Sequence, residues 1–367
     1  MAHQLFLAST PLHLLNSVAI ASRSADINAD LWLIDQPVVA DNPYHQLLNH
    51  WQGSPFNQIH ISGGQHGSQR AKLNSRRQTF ARLQQWVEQY RPATIFTGND
   101  RRIEFQYAMH CAQQTGRCAK GVYMDEGTFT YVGRKASASF SDRIIDSGLK
   151  KLIYGRWWQS PPTIGGSAWI DEIFVAFPQL VHPLLQQKQA VPLQPLFEGN
   201  TVVQDFCQQL LNFFAANTAD VGELDCILTL PHESIIERLP GYRDAMLRTV
   251  QTLQAAGLRT GIKYHPRNSN PDILNAAERD GFVLLPHRVP FEALLPLLPA
   301  NPLIIGDVSS TLINSRWLRP DARLLSIANP NVDNYEAFCQ LFAKLQVQVC
   351  SSDELTDNLQ ALLTCSL

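Results

Sequence analysis

The sequence predicts an α/β protein built from two doubly wound, Rossmann-like domains. Short apolar runs rich in β-branched and aromatic residues alternate along the chain with longer segments of helical periodicity. This alternation is typical of βαβ units and a parallel sheet. The chain has 367 residues, which is too long for one ordinary core and suits two domains. The alternation is interrupted once, near the middle of the chain.

The first half contains six predicted strands and two clear helical stretches. The predicted helices are Pro11–Ser22 and Ala71–Tyr90. In the second of these, apolar residues recur at the spacing of one helix face, namely Leu73, Phe80, Leu83, Val87 and Tyr90. The predicted strands are Gln4–Ala8, Asp30–Ile34, Gln58–Ile61, Thr94–Thr97, Lys120–Tyr123 and Glu172–Ala176.

A segment rich in Gln and Pro, Val181–Asn200, breaks this rhythm and marks the predicted domain boundary. We therefore predict domains at residues 1–190 and 191–367 that face across a cleft, where ligands bind outside the carboxyl ends of the strands. A final helix is predicted at Asp353–Leu363. The predicted strands of the second half are Asp225–Leu230, Arg259–Tyr264, Gly281–Leu285, Pro302–Ile305 and Arg323–Ile327, and its other helices are Tyr242–Ala256, Phe291–Leu298, Ser310–Trp317 and Asn334–Leu345.

Composition excludes several classes of protein. A hydrophobic content of 45% with 17% charged residues is typical of a well-packed globular chain. The net charge of -2 provides no basic field, so nucleic acid is not an expected partner. The start, MAHQLFLASTPLHLL, lacks the basic n-region of a signal peptide, and no apolar segment has the roughly 20 residues of a membrane span. Seven scattered cysteines without a CxxC pair fit reduced thiols, so we expect a cytoplasmic protein.

The stretch GVYMDEGTFTY places two adjacent carboxylates, Asp125 and Glu126, directly after a predicted strand. Gly127 permits the sharp turn that points a carboxylate into a cleft, and a neighbouring carboxylate raises the pKa of its partner toward that of a general base. An ordinary solvated acidic turn is the alternative interpretation.

Two strand ends in the second half carry groups suited to phosphate. The first is KYHPR, where Lys263 precedes His265 and Pro266 fixes the backbone after the histidine. The second is IIGDVSSTL, where a strand runs through Gly306 into a helix start. Hydroxyl residues there are usually N-caps, but the helix start also offers free N–H groups and a positive dipole end to an anion. The hydroxyl residues are Ser309, Ser310 and Thr311.

Two further turns are weaker candidates. Ser9 and Thr10 follow the first strand and are predicted to line the cleft, although a plain βα turn explains them equally well. Pro231 and His232, in LPHE, follow the first strand of the second domain and are predicted to contact a nucleotide.

Other chemistries lack their motifs. The chain contains no GxGxxG, GxxxxGK[ST] or GxSxG sequence, and His232-Glu233 does not begin a zincin motif because residue 236 is Ile. No Asp-x-Asp pair follows a strand to hold a metal ion for a diphosphate donor. Phosphate-binding groups without a metal motif favour a donor that carries less phosphate charge.

The order of these motifs resembles the bacterial sialyltransferases that cap lipooligosaccharide or polymerise capsular polysialic acid. The features that carry the resemblance are Asp125-Glu126-Gly127, then His265-Pro266, then Ser309-Ser310-Thr311. The opening STPLHLLNS also looks like the N-terminal turn of that group, which often has glutamine where this chain has His13. The resemblance spans residues 9–311 and implies the GT-B architecture with a cytidine monophosphate sugar as donor.

Residue roles follow from this resemblance. It implies that Asp125, helped by Glu126, removes the proton from the acceptor hydroxyl, and which carboxylate is the base stays open. His265 would hydrogen-bond or protonate the leaving phosphate, and Ser309, Ser310 and the helix N-terminus would hold it. The reaction would invert the anomeric centre without a metal or other cofactor. CMP, which leaves with one phosphate, is a group that such donors can stabilise.

The acceptor and the alternatives are less constrained. KKLIYGRWW, residues 150–158, interleaves basic and aromatic residues, which fits either contact with anionic lipid headgroups or a packed aromatic pair with solvated lysines. In the first case the acceptor is a lipid-linked glycan and the protein is peripheral on the inner membrane face. A homodimer is compatible with the sequence. The alternatives are a CMP-Kdo or other capsule-type transferase, a sugar-nucleotide 2-epimerase, and a non-catalytic glycan- or nucleotide-binding protein.

Overall fold

The computed structural model describes residues 2–23, 27–64, 68–133, 151, 154–214, 218–332 and 335–364. The chain divides into two compact units, Met1–Phe206 and Cys207–Leu367. Each unit contains one parallel sheet with helices between most of its successive strands. No helix in the described part of the chain is both long and apolar enough to cross a membrane.

The first unit has seven parallel strands in the order β3-β2-β1-β4-β5-β6-β7. They are β1 (His3–Ala8), β2 (Asn28–Gln36), β3 (Gln58–Gly63), β4 (Thr94–Thr97), β5 (Lys120–Met124), β6 (Glu172–Val175) and β7 (Gln189–Pro192). The helices are α1 (Pro11–Ser22), α2 (Pro43–His50), α3 (Gln69–Tyr90), α4 (Ile103–Gln114), α5 (Thr128–Tyr131) and α6 (Gln194–Phe197), with 3₁₀ turns at Pro178–Leu180 and Pro183–Leu185. Helix α7 (Thr201–Phe213) begins in the first unit and ends in the second.

The second unit has six parallel strands in the order β10-β9-β8-β11-β12-β13. They are β8 (Cys226–Thr229), β9 (Thr260–Lys263), β10 (Phe282–Leu284), β11 (Leu303–Gly306), β12 (Arg323–Ile327) and β13 (Gln348–Cys350). The helices are α8 (Thr218–Gly222), α9 (Glu233–Arg238), α10 (Tyr242–Ala255), α11 (Phe291–Leu294), α12 (Ser310–Leu318), α13 (Tyr335–Lys344) and α14 (Leu355–Thr364), with a 3₁₀ turn at Leu295–Leu297.

Both sheets reverse their strand order once, and the reversal positions the polar turns. In the first sheet β1 pairs with both β2 and β4, and in the second β8 pairs with both β9 and β11. All these pairs are parallel, so their carboxyl ends share one edge of the sheet. The crevice at such a reversal is where open α/β sheets bind ligands. The turns after β1 and β4, and those after β8 and β11, therefore border the expected sites.

Buried apolar strands anchor these edges. Leu5, Phe6 and Leu7 of β1 are fully buried, as are Leu303, Ile304 and Ile305 of β11. Near-continuous apolar runs of this kind are expected for parallel strands that are covered on both faces. The strands closest to each reversal are thus held most firmly by the hydrophobic effect.

All eleven strands predicted from the sequence are present, and two further strands, β7 and β13, were not predicted. The missed strands have only four and three residues, and both lie at a sheet edge. β7 has the sequence QAVP, and its residues are exposed or only partly buried, so it lacks the apolar run that marks the other strands. One member of the predicted apolar face of α3 is also exposed, because Leu73 keeps 44% of its side-chain surface.

The aromatic residues of the basic-aromatic stretch pack within the first unit. Trp157 contacts Phe80 and Tyr107 with ring centroids 6.2 and 5.5 Å away, and Trp158 is buried. These contacts favour the packed interpretation for the aromatic rings. Lys150 and residues 152–153 lie outside the described part of the chain.

Close approach of two segments requires a glycine in β5. A Cβ atom at Gly121 would lie 1.8 Å from the carbonyl oxygen of Trp169. We predict that Gly121→Ala lowers the free energy of unfolding by about 1–3 kcal/mol through overpacking. Gly222→Ala is the matched control, since its nearest neighbour would be 4.0 Å away. Chemical denaturation of both variants checks this, and equal stability would contradict the packing argument.

Candidate active site

The first candidate region lies at the carboxyl ends of β1, β4 and β5. Ser9 follows β1, Gly98 follows β4, and Asp125 and Glu126 follow β5. Because these three strands are adjacent and parallel, the turns share one edge of the sheet. The turn after β5 is made by Gly127, whose φ of 85° is accessible to glycine at low cost.

Asp125 is buried and its carboxylate is saturated with donors. One oxygen accepts the N–H of Gly127 at 2.7 Å and the hydroxyl of Thr130 at 2.8 Å. The other accepts the N–H of Ala176 at 2.9 Å and the Tyr131 hydroxyl. Burial raises the pKa of Asp125, and the four donors oppose that rise. A carboxylate held in this way braces the turn after β5.

Glu126 differs from its neighbour in its hydrogen bonding. Its Oε2 atom is buried but has no hydrogen-bond partner in the described part of the chain. Burial raises the pKa of Glu126 to about 8; the charge of Arg102 opposes this, and the charges of Asp100 and Asp125 add to it. A carboxyl group at a strand end with one unpaired oxygen and a raised pKa has the properties of a general base.

Two residues from the turn after β4 act on Glu126, and the sequence did not single them out. A hydrogen bond from Asn99 lowers the pKa of Glu126, as does the cation of Arg102. Arg102 forms an ion pair with Asp35, the second-last residue of β2, and its Nε atom is buried without a hydrogen-bond partner among the described residues. Asp100 is buried and accepts the N–H groups of Gly165 and Ser167, both at 2.8 Å. The sequence feature that could have indicated these residues is their position shortly after a predicted strand.

His13 lies beneath the same turn. The ring is fully buried, and burial lowers its pKa to about 3, so the imidazole is neutral. Nδ1 accepts the N–H of Ser9 at 3.4 Å, which leaves the proton on Nε2, and Nε2 has no partner among the described residues. A Cβ atom at Gly98 would lie 2.1 Å from this ring. His13 and Gly98 therefore fit together, and a side chain at 98 would displace the imidazole.

The predicted cleft residues of the first turn have structural partners. Thr10 is the N-cap of α1, and its hydroxyl accepts the N–H of His13 at 3.3 Å. The Ser9 hydroxyl lies 3.2 Å from His13 Nδ1. These contacts fit a plain βα turn. They also fit a turn that lines a ligand site, because this turn follows β1, where the strand order of the sheet reverses.

The second candidate region lies at the carboxyl ends of β8, β9 and β11. His232 lies in the turn after β8 and His265 at the start of the loop after β9, and their ring centroids are 5.2 Å apart with an interplanar angle of 72°. His265 Nδ1 accepts the N–H of Arg267, and His232 Nδ1 accepts the N–H of Ser234, both at 3.2 Å. These bonds place the proton of each neutral ring on Nε2. Burial, helped by the charges of nearby cations, lowers the pKa of His265 to about 4.

A chain of hydroxyl groups joins β8 to the start of α12. The Ser309 hydroxyl lies 2.5 Å from that of Thr311, which lies 3.2 Å from that of Thr229. Ser309 occupies the N-cap position but makes no side-chain capping bond, so its hydroxyl is not used as a cap. A Cβ atom at Gly306 would lie 2.5 Å from the Thr229 hydroxyl. Ser310 and Thr311 begin α12, whose first turn offers N–H groups and a positive dipole end.

Other residues of this region hold the turns in place. Lys263 is buried, and its Nζ donates to the carbonyl of His287 at 3.0 Å, while burial lowers its pKa to about 8. Asp307 is buried and accepts the Tyr242 hydroxyl at 2.6 Å. Pro231 and Pro266 each adjoin one of the two histidines, at the strand end and in the following turn.

A carboxylate that the sequence did not select clamps the loop after His265. Glu233 accepts the N–H groups of Ser269 and Asn270 at 3.1 Å and the Ser269 hydroxyl at 2.7 Å. Its own N–H donates to Asn268 at 3.1 Å. These donors lower the pKa of Glu233 to about 2. Because the loop begins at His265, the clamp fixes the backbone next to that ring.

The described residues contain no group of three or more His, Cys, Asp or Glu side chains placed as metal ligands. Oxygen-rich ligand sets for hard cations require several carboxylates that converge on one point.

The two adjacent carboxylates are predicted to respond differently to neutralisation. Asp125→Asn should lower the free energy of unfolding by about 1–3 kcal/mol, because an amide leaves buried donors unsatisfied. Glu126→Gln should change it by no more than about 0.5 kcal/mol, since Oε2 has no partner to lose. Thermal and chemical unfolding of both variants at pH 7 measure this difference. A larger loss for Glu126→Gln would show that the structural roles are reversed.

Similar folds occur among solved structures. An alpha/beta-galactoside alpha-2,3-sialyltransferase from Photobacterium phosphoreum has a TM-score of 0.59 and 12% identity, over 96% of this chain and 99% of that chain. A UDP-GlcNAc 2-epimerase from Methanocaldococcus jannaschii has a TM-score of 0.55 and 10% identity, over 99% and 92% of the two chains. A putative UDP-N-acetylglucosamine 2-epimerase from Listeria monocytogenes has a TM-score of 0.55 and 12% identity, over 99% and 88%. These likenesses confirm the GT-B fold of two Rossmann-like domains.

The sequence comparisons identify the family. No curated protein sequence matches the chain. The family model described as alpha-2,8-polysialyltransferase (POLYST) matches residues 40–328. This match confirms the resemblance to bacterial sialyltransferases that the motifs indicated. Because it spans most of the chain, the protein belongs to the alpha-2,8-polysialyltransferase family and is a glycosyltransferase.

Proposed function

We propose that this protein transfers sialic acid from CMP-sialic acid to a glycan hydroxyl by a single inverting displacement without a metal ion. Family membership supports the sialyl group. The observation that carries the mechanism is the unpaired, buried Oε2 atom of Glu126, because an inverting transfer needs one base and no enzyme nucleophile. The proposed acceptor is a glycan of surface polysaccharide or lipooligosaccharide. We further propose that this glycan is linked to a lipid or that the protein contacts the membrane surface.

Glu126 is the proposed base and Asp125 the residue that positions it. The Asp125 carboxylate accepts two donors at each oxygen, so it could take up the proton of the acceptor only by giving up one of these four hydrogen bonds. Glu126 can accept that proton at Oε2 without breaking a bond. As the hydroxyl loses its proton, its oxygen attacks the anomeric carbon and the bond to the phosphate of CMP breaks. The electron pair of that bond leaves with CMP.

Donors in the second unit are proposed to stabilise the leaving phosphate. His265 presents Nε2–H as a neutral donor, since a pKa of about 4 leaves little imidazolium at neutral pH. His232 presents a second such N–H, and the hydroxyls of Ser309 and Thr311 with the first turn of α12 add further donors. Preorganised donors of this kind stabilise charge that develops in the transition state. Lys263 shapes the neighbouring loop through its bond to His287.

Glu126→Gln is predicted to reduce kcat by about 10²–10⁴-fold, which is the usual contribution of a general base, with CMP affinity nearly unchanged. In the wild type, kcat/KM should rise with pH until the pKa of Glu126 near 8 is passed and then level off, because only the carboxylate accepts a proton. Rate measurements from pH 6 to about 9.5 test this.

Arg102 supplies a directional control for the same profile. Its charge lowers the pKa of Glu126, so Arg102→Gln should move the rise in kcat/KM to higher pH. Arg101→Gln is the matched control, because the charge of Arg101 is not among the causes of the raised pKa of Glu126. An active Glu126→Gln variant, or a profile that stays in place when Arg102 is neutralised, would remove Glu126 from the base role.

Nucleotide titration tests the donor. Calorimetry with CMP, CDP and UDP should show that CMP binds with or without magnesium, and that His265→Ala weakens CMP binding about tenfold or more through loss of a hydrogen bond to a charged group. The His265→Ala rate should also fall. A preference for UDP would favour the epimerase or diphosphate-sugar alternatives, and unchanged kinetics in His265→Ala would refute its phosphate role.

A further inference from the structure

The two histidines that are proposed to bind the leaving phosphate are oriented by their own segments and not by each other. The ring centroids of His232 and His265 are 5.2 Å apart, and both side chains are only half-buried. Each ring uses Nδ1 to accept a backbone N–H two residues along, that of Ser234 or of Arg267, both at 3.2 Å. These bonds orient each ring locally but do not set the distance between the two rings.

The sheet does not set that distance either, because the pairing of β8 with β9 ends before both histidines. The last register pair is Thr229 with Lys263, and the N–H of Leu230 donates to the carbonyl of Lys263 at 3.0 Å. After this point the chain forms two separate segments, residues 231–239 and residues 264–280. The relative position of the two rings therefore depends on bonds between these segments.

One residue makes those bonds. The Glu233 carboxylate accepts the Ser269 hydroxyl at 2.7 Å and the N–H groups of Ser269 and Asn270 at 3.1 Å, so both of its oxygens are used. The N–H of Glu233 donates to the side-chain oxygen of Asn268 at 3.1 Å. No other hydrogen bond joins the two segments among the described residues. Glu233 thus links them through its backbone and its side chain.

The far end of the second segment has an anchor that does not involve Glu233. The Tyr264 hydroxyl donates to Asp272 at 2.6 Å, and Asp272 accepts the N–H groups of Ala276 and Ala277 at 2.9 and 2.8 Å. Tyr264 is 1% exposed and belongs to the hydrophobic core of the second unit. Removal of the Glu233 side chain should therefore release residues 265–271 while the anchor keeps the fold intact.

We propose that Glu233 is a positioning residue of the phosphate site, which holds the loop of His265 beside His232 without contacting the ligand itself. This inference rests on the proposed function, because that function assigns the phosphate to the two histidines. Two donors act together on one phosphate at low cost only when their separation is fixed in advance, since ordering them during binding reduces affinity. The bonds made by Glu233 would supply that order.

Calorimetric titration with CMP and with cytidine, which lacks the phosphate, tests this role. Glu233→Ala should weaken CMP binding about tenfold, the value of one hydrogen bond to a charged group, and leave cytidine binding within twofold. Glu233→Gln keeps one acceptor oxygen and should give an intermediate loss. Glu237→Gln, on the same helix with an exposed side chain, is the matched control and should bind CMP within twofold of the wild type. An equal loss for CMP and cytidine would indicate a general structural defect and overturn the inference.

The distance between the two rings provides a readout that does not depend on activity. In protein with labelled histidine rings, nuclear Overhauser contacts between His232 and His265 should be present in the wild type, whose ring centroids are 5.2 Å apart, and lost in Glu233→Ala. Asn268→Ala removes the bond to the backbone of Glu233 and should weaken both these contacts and CMP binding. This second variant decides the outcome if unfolding curves show that Glu233→Ala is unstable.

The pH profile separates positioning from proton transfer. The donors to Glu233 lower its pKa to about 2, so its carboxylate stays charged at every pH at which the transfer rate is measured. Glu233→Ala should therefore lower kcat/KM by a similar factor across the profile, without moving the rise that is assigned to Glu126. Movement of that rise in Glu233→Ala would overturn the positioning role.

The same measurements separate this inference from the proposed function. If His265→Ala weakens CMP binding while Glu233→Ala preserves both CMP binding and the ring contacts, the inference fails and the proposed function stands. If the wild type does not bind CMP, the proposed function fails. In that case, loss of the ring contacts in Glu233→Ala would still support the positioning of His265 by Glu233, and their retention would overturn it.

Discussion

A single buried carboxylate holds the turn on which the proposed chemistry depends. Asp125 accepts four donors, which come from its own turn, from α5 and from the residue that follows β6. Removing a charge from water is costly, and only a full set of donors offsets that cost. Its neighbour Glu126 accepts a hydrogen bond from Asn99, but its Oε2 atom has no partner in the described part of the chain. One residue of the pair therefore holds the turn, and the other keeps an oxygen that can accept a proton.

The same division between holding and reacting groups recurs in the second unit. Asp307 is satisfied by Tyr242, Lys263 by His287, and Glu233 by the loop that follows His265. In contrast, the Ser309 hydroxyl bonds to that of Thr311, which in turn bonds to the hydroxyl of Thr229. Groups with fixed partners give the site its shape, and groups with exchangeable partners can turn to a ligand without loss of a strong bond.

The fold could be predicted from the sequence because its strands are buried on both faces. Apolar runs such as those of β1 and β11 are distinct from helical periodicity, whereas β7 and β13 are short, lie at sheet edges and carry no such run. The turns that carry the candidate residues were predicted for the same reason, since they follow the predicted strands.

Roles within those turns could not be predicted. Asp125 and Glu126 are adjacent and chemically alike, and only the donors brought by α5 and by Ala176 distinguish them. Arg102 belongs to no motif, and His13 was noted only within STPLHLLNS. The relation of both residues to the site depends on packing between distant segments, such as the fit of Gly98 against the imidazole. Such contacts have no periodicity that a sequence can display.

The missed strand β7 has a consequence for the behaviour of the protein at high concentration. It is the last strand of the first sheet, it is short and largely exposed, and it ends in Pro192, which has no N–H to donate. Lys188 stands directly before it. Short edges with proline and nearby lysine discourage the strand-to-strand addition that leads to aggregation. The lack of an apolar run prevented the prediction of β7 from the sequence. The same property protects this edge of the sheet from self-association.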